Sequence, residues 1–131
     1  MRQDHRQAIR EARDIYRRRD VLDEEMLERA VSVLAGHKIW SMSQVRQITG
    51  AKSKMVRDIM QKTSHTGGKL NPQSFDLMLE EIELADRNDS NPLLTLRIVE
   101  SGTSGLMLSR LIGQSVATVN WRARRGREMR G

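Results

Sequence analysis

The chain has no cysteine, so disulfide staples and thiolate metal sites are excluded and a reducing compartment is expected. Proline occurs only at positions 72 and 92, and the aromatics are limited to Tyr16, Trp40, Phe75 and Trp121. A core must therefore be built from Leu, Ile, Val, Met and Ala, which recur here at helical spacing. No long apolar run is present. The longest, "AVSVLAG", is far too short to span a bilayer, and "MRQDHRQ" carries no apolar signal core. These absences predict a cytoplasmic protein without membrane contact. At 131 residues the chain has room for one ordinary domain or two very small ones, not for a large catalytic α/β fold.

What the chain does have is charge in blocks. The overall +6 is divided among residues 1–19, 51–72 and 92–131, which are net +4, +4 and +5, and residues 20–50 and 73–91, which are net −2 and −5. Positive stations separated by acidic stretches suggest several discrete anion contacts, and nucleic acid is the leading partner.

Periodicity divides the chain into helices. Ala8, Ile9, Ala12, Ile15 and Tyr16 share one face of a first helix that ends in Arg17, Arg18 and Arg19. Asp23 caps a second, whose stripe of Met26, Leu27, Ala30, Val31 and Leu34 is expected to stop at Gly36. Ser41 with Gln44 fits a capping box opening "MSQVRQIT", Gly50 breaks that helix, and "SKMVRDIMQK" resumes it. "KTSHTGGKLNP" reads as a linker. Asn71 with Pro72 and Asn91 with Pro92 each mark a helix start. Thr103 and Ser104 can cap a further short helix, Gly113 breaks it, and "SVATVNWRAR" follows, with fraying expected after Gly126.

Two of these stretches match. Placing Gly50 over Gly113 aligns Val45 with Leu108, Ile48 with Leu111, Thr49 with Ile112, Val56 with Val119 and Ser41 with Ser104. Short helix, glycine turn and second helix is the layout of a helix-turn-helix, whose outer helix can enter a major groove. The predicted fold is all-α: two small helix-turn-helix modules, residues 1–70 and 71–131, joined by a linker helix. That helix, from Pro72 to about Ala85, is about 20 Å long, a fitting spacer between neighbouring groove segments. Three residues fit poorly: Arg46 where small side chains are usual, Thr49 in a core position, and Arg122 where an apolar side chain is expected.

On the first outer helix the candidate contacts are Lys52, Ser53, Lys54, Arg57 and Gln61. Arginine can bond guanine bidentately and glutamine adenine, while lysines near a helix start can hold phosphates. On the second they are Ser115, Ala117, Thr118, Asn120, Trp121 and Arg124, with Asn120 suited to adenine and Ala117 or Thr118 to a thymine methyl. A tryptophan so placed more often anchors a core, and Trp121 is read that way first. Arg125 and the other arginines of "RARRGREMRG" suit backbone contact. In the linker, Lys62, Thr66, Gly67, Gly68 and Lys69 offer donors to a phosphate strand.

Catalytic chemistry is not assembled by this sequence. His5, His37 and His65 lie in separate segments and read as surface or boundary residues. Glu80, Glu81 and Glu83 point in different directions on a helix and read as a solvated acidic face, and "TGGKL" lacks the spacing of a phosphate loop. No enzyme activity, cofactor, metal or small-molecule ligand is expected.

"SQVRQITGAKSKMV", "TGGKLNPQSFDLML" and "ESGTSGLMLSRLIGQSVATVNWRARRG" resemble small helix-turn-helix proteins of actinobacterial phages, in particular immunity repressors of the mycobacteriophage type. The resemblance covers most of the chain beyond about residue 36. It implies a transcriptional repressor in the host bacterial cytoplasm, with two unlike units binding one asymmetric double-stranded site as a monomer. The contact helices it implies are residues 52–61 and 115–124. The alternative reading is a phage DNA-packaging protein, a small terminase subunit assembling into a ring that holds DNA.

Overall fold

Short polar side chains open most of the helices. The computed structural model describes residues 2–61 and 68–131, and in it Asp23 accepts from the Met26 N–H at 2.8 Å to start one helix. Ser41 and Gln44 bond reciprocally, at 3.1 and 2.9 Å, to start the next. Asn91, Ser104 and Ser115 each cap in the same sense. Among the described residues there are eight α-helices, two short 3₁₀ turns and no strand. The helices are α1 (Arg2–Arg18), α2 (Glu24–His37), α3 (Met42–Thr49), α4 (Ser53–Ile59), α5 (Phe75–Asp86), α6 (Pro92–Ser101), α7 (Gly105–Ile112) and α8 (Val116–Arg130). No helix is long and apolar enough to cross a membrane, and no group of three metal-ligating side chains occurs among the described residues.

Two helix ends differ from expectation. Gly36 does not stop α2, which continues through His37 until Lys38 turns left-handed at φ 59° and its N–H donates to Ala35 O. Nor does α8 fray at Gly126. It runs to Arg130, whose guanidinium holds both oxygens of Glu100 at 2.6 and 2.9 Å. Gly126 is buried because α6 lies against it: an added Cβ would collide with the Pro92 carbonyl and come within 3.0 Å of Leu96 Cβ. A glycine read as a breaker is here a close-packing point.

The chain divides into two units, residues 10–66 and residues 1–9 with 67–131. In the first, α2, α3 and α4 pack on one another around Val31, Leu34, Trp40, Val45, Ile48 and Val56. Trp40 is fully buried and its indole N–H donates to His37 Nδ1 at 3.0 Å, while His37 Nε2 faces Glu11 Oε2 at 3.1 Å. The half-buried His37 thus has a structural task at the edge of the core. Thr49, a poor core residue on paper, is buried with its hydroxyl satisfied: it donates to Val45 O at 2.7 Å and accepts from the Ala51 N–H at 3.1 Å.

In the second unit α8 packs mainly on α6 and also on α7, and α5 packs on α6 and α7. Phe75, Met78, Ile82, Leu96, Ile98, Met107, Leu108, Leu111 and Val119 fill the interior. The segment before α5 is held to the start of α7. The Lys69 N–H donates to Ser104 Oγ, the Ser104 N–H returns to Lys69 O, and the Asn71 N–H donates to Thr103 Oγ1. Thr103 is buried in this role, so Ser104 alone caps α7.

The acidic stretch of α5 is not uniformly solvated. Glu80 and Glu83 are exposed, but Glu81 is buried, and so is Arg122, whose guanidinium lies 3.5 Å from it. The Thr95 hydroxyl donates to Glu81 Oε1, Arg122 Nε donates to Thr95 Oγ1 at 3.2 Å, and Arg122 Nη2 donates to the Gln114 carboxamide. The arginine that fitted an apolar position badly closes this internal network.

Candidate nucleic-acid interface

An offset of 63 residues seen in the sequence is kept by the helices themselves. α3 and α7 are both eight residues long and begin and end at matching positions, and α4 and α8 start at matching positions, Ser53 and Val116. Between them stand Gly50 at φ 75° and Gly113 at φ 70°, each in the left-handed region where a Cβ is costly. The Gly50 N–H donates to Arg46 O at 2.8 Å, and the Gly113 N–H to Ser109 O. These bonds close α3 and α7 and let the chain reverse into the second helix of each pair.

Both second helices keep one side in the core and leave one side outside. Val56 of α4 is fully buried, as is Val119 of α8, and Arg122, Ala123 and Gly126 continue the inner side of α8. At 3.6 residues per turn, positions 53, 54, 57, 58 and 61 on α4 and just past its end correspond to 116, 117, 120, 121 and 124 on α8. The four on α4 and the five on α8 each span about 140° of arc on the outer side, and Gln61 follows the end of α4.

The first set is Ser53, Lys54, Arg57, Asp58 and Gln61, all exposed except the half-buried Ser53. Lys52 precedes it as the exposed N-cap, without a side-chain capping bond. Gln61 lies beyond the C-cap Met60, so the helix expected over residues 52–61 covers only Ser53–Ile59. Lys52, Lys54 and Arg57 meet no acidic partner among the described residues. Lys62, His65, Thr66 and Gly67 lie outside the described residues. Lys69 is exposed, with its backbone bonded to Ser104, and Gly68 approaches Met107 and Ser104 so closely that an added Cβ would fall 3.0 Å from the Met107 N.

The second set is Val116, Ala117, Asn120, Trp121 and Arg124, and all five are exposed. Trp121 is 55% exposed and is not a core anchor. Its side of α8 is opposite the buried Val119 and Ala123. Thr118 sits at the edge of the arc with its hydroxyl against that of Ser115 at 2.8 Å, so both serve the helix start. Arg124 is without an acidic partner among the described residues, whereas Arg125 pairs with Glu128 at 3.3 Å.

Asn120 lies beside Gly105. A Cβ at position 105 would collide with the Asn120 carboxamide oxygen and lie 3.8 Å from Val119 Cγ1, so the amide lies close over the bare backbone at the first residue of α7. Sequence reasoning missed Gly105, Val116 and Asp58. The signal for the last two was the 63-residue offset itself, which carries Ser53 onto Val116 and Trp121 onto Asp58.

Burial shapes the one perturbed carboxyl inside this unit. Desolvation pushes Glu81 above the ordinary carboxylate range, opposed by the Thr95 hydroxyl and the Arg122 charge. Its second oxygen, Oε2, is buried with no hydrogen-bond partner. At the surface the hydrogen bonds from Arg130 hold the Glu100 carboxyl below its usual range.

Set against protein-family profiles, curated proteins and solved structures, the chain matches none.

Proposed function

We propose that this chain is a sequence-specific double-stranded DNA-binding protein of the transcriptional repressor type, in which α3–α4 and α7–α8 act as two helix-turn-helix modules. The observation that carries the reading is the repeat of helix, left-handed glycine and helix at a constant offset, with each second helix displaying an exposed arc that carries hydrogen-bonding and cationic side chains, Lys54 and Arg57 on α4 and Asn120 and Arg124 on α8. A helix of this kind fills a major groove, and hydrogen-bonding side chains along its outer arc reach base edges there.

The two arcs share almost no chemistry at matching positions. Each therefore takes a different half of the target, and the site is asymmetric, with one copy of the chain supplying both readers. Lys52, Lys54, Arg57, Arg124 and Arg125 supply charge for phosphates or guanines; Gln61 and Asn120 suit adenine. Bound across a promoter, such a protein represses by occupancy.

Selection of bound fragments from random duplexes by the full chain tests this. A long non-palindromic consensus is the expected result, with a monomer mass on the duplex by light scattering. Failure to enrich any sequence, or a palindrome bound by a pair of chains, overturns it.

A further inference from the structure

The outer arc of α8 is unusual for a helix that meets only water. Val116 is 37% exposed and Trp121 55%, with Ala117 between them on the same side. The exposed side of the helix beside them is cationic: Arg124 has no acidic partner among the described residues and Arg125 pairs only with Glu128 on its own helix, whereas Arg122 is buried against Glu81 and Arg130 holds Glu100. An apolar strip framed by arginines fits a surface that is anionic at its rim and apolar at its centre. Duplex DNA offers that combination in the major groove, where phosphates flank base edges whose one apolar group is the 5-methyl of thymine.

We infer that α8 is a thymine-methyl reader and that its half of the target is a run of A·T pairs, an inference that rests on the DNA-binding reading above. Val116 and Ala117 bear on thymine methyls. Asn120, which lies between them on the same arc, pairs with the N6 and N7 edge of an adenine, the base that accompanies a thymine on the opposite strand. The matching arc of α4 carries Ser53, Lys54, Arg57, Asp58 and Gln61, with no aliphatic side chain to meet a methyl group, so its half is read through hydrogen bonds.

The test separates methyl recognition from DNA recognition as such. The duplex recovered from random selection is resynthesised with deoxyuridine in place of thymidine at one position at a time, which removes the methyl and keeps the base pair. The full chain is expected to bind about four-fold more weakly for each methyl lost, the factor associated with one buried CH₂, at two or more neighbouring positions and nowhere else. Val116→Ser with Ala117→Ser abolishes that sensitivity, and Lys54→Ala leaves it intact; circular dichroism confirms that both variants remain helical. Uniform tolerance of deoxyuridine while the consensus persists overturns methyl reading and leaves sequence-specific binding standing. Sensitivity that vanishes with Lys54→Ala instead overturns the assignment to α8. If no sequence is enriched at all, base reading itself falls.

Discussion

The Arg122 guanidinium stands 3.5 Å from the Glu81 carboxylate inside the unit that carries α8, and both side chains are less than a tenth exposed. Through Thr95 on α6 and Gln114 in the turn before α8, this pair ties the outer helix to the two helices behind it.

Removing either member leaves the other buried and uncompensated. Glu81→Leu and Arg122→Leu should each lower unfolding free energy by about 3 to 5 kcal/mol. The double variant should be more stable than either single one, with a coupling of about 2 to 3 kcal/mol. Urea denaturation measures all four proteins, and additive losses contradict the network.

The two shifted carboxyls act on stability with opposite signs. Glu81 is raised in the folded state, so the folded protein binds its proton more tightly than the unfolded chain. Its contribution is full below the ordinary carboxylate range and is lost as pH rises through the raised value. Glu100 is lowered by Arg130, so its contribution is present above the ordinary range and is lost as pH falls through the lowered value. Denaturation curves between about pH 3 and pH 8 should flatten on the neutral side for Glu81→Gln and on the acid side for Glu100→Gln, the second effect shrinking in high salt.

Gly36 and Gly126 make a contrast between two helical glycines. Nothing lies within 4 Å of a Cβ built at Gly36, so Gly36→Ala should add about 0.5 to 1 kcal/mol through helix propensity. Gly126→Ala meets the Pro92 backbone and should cost about 1 to 3 kcal/mol, since α6 must move away. Thermal melting of the two variants should shift in opposite directions.

Salt dependence reports the phosphates. If about six to ten are neutralised, affinity for the selected duplex should fall about 10³- to 10⁵-fold between 50 and 200 mM salt. Arg125→Ala should weaken all sequences alike and lower the slope by about one, as removal of a backbone contact does.

Much of this was readable in the sequence because local rules held. Asp23, Ser41, Asn91, Ser104 and Ser115 cap where short polar side chains precede apolar periodicity, and the Gly50–Gly113 offset sets matching helices. The misread positions depend on tertiary partners that periodicity does not reveal. Gly36 and Gly126 look alike in sequence, yet one stands in open space and the other under α6. Glu81 reads as one of three surface acids until Arg122 and Thr95 arrive from distant segments. Trp121 reads as an anchor because size suggests burial, whereas its place on the arc is opposite Val119 and Ala123. The outer faces themselves were largely legible, since a helix whose inner side is known has its outer side fixed by 3.6-residue geometry.

The most direct measurement of the central claim is a base-by-base binding profile of the parent chain, Arg57→Ala and Asn120→Ala over all single substitutions of the selected duplex. Each variant should lose discrimination, by about 1 to 3 kcal/mol, at its own base pair, and the two positions should fall in different halves of the site. A profile unchanged in shape for both variants would contradict the assignment of α4 and α8 as readers.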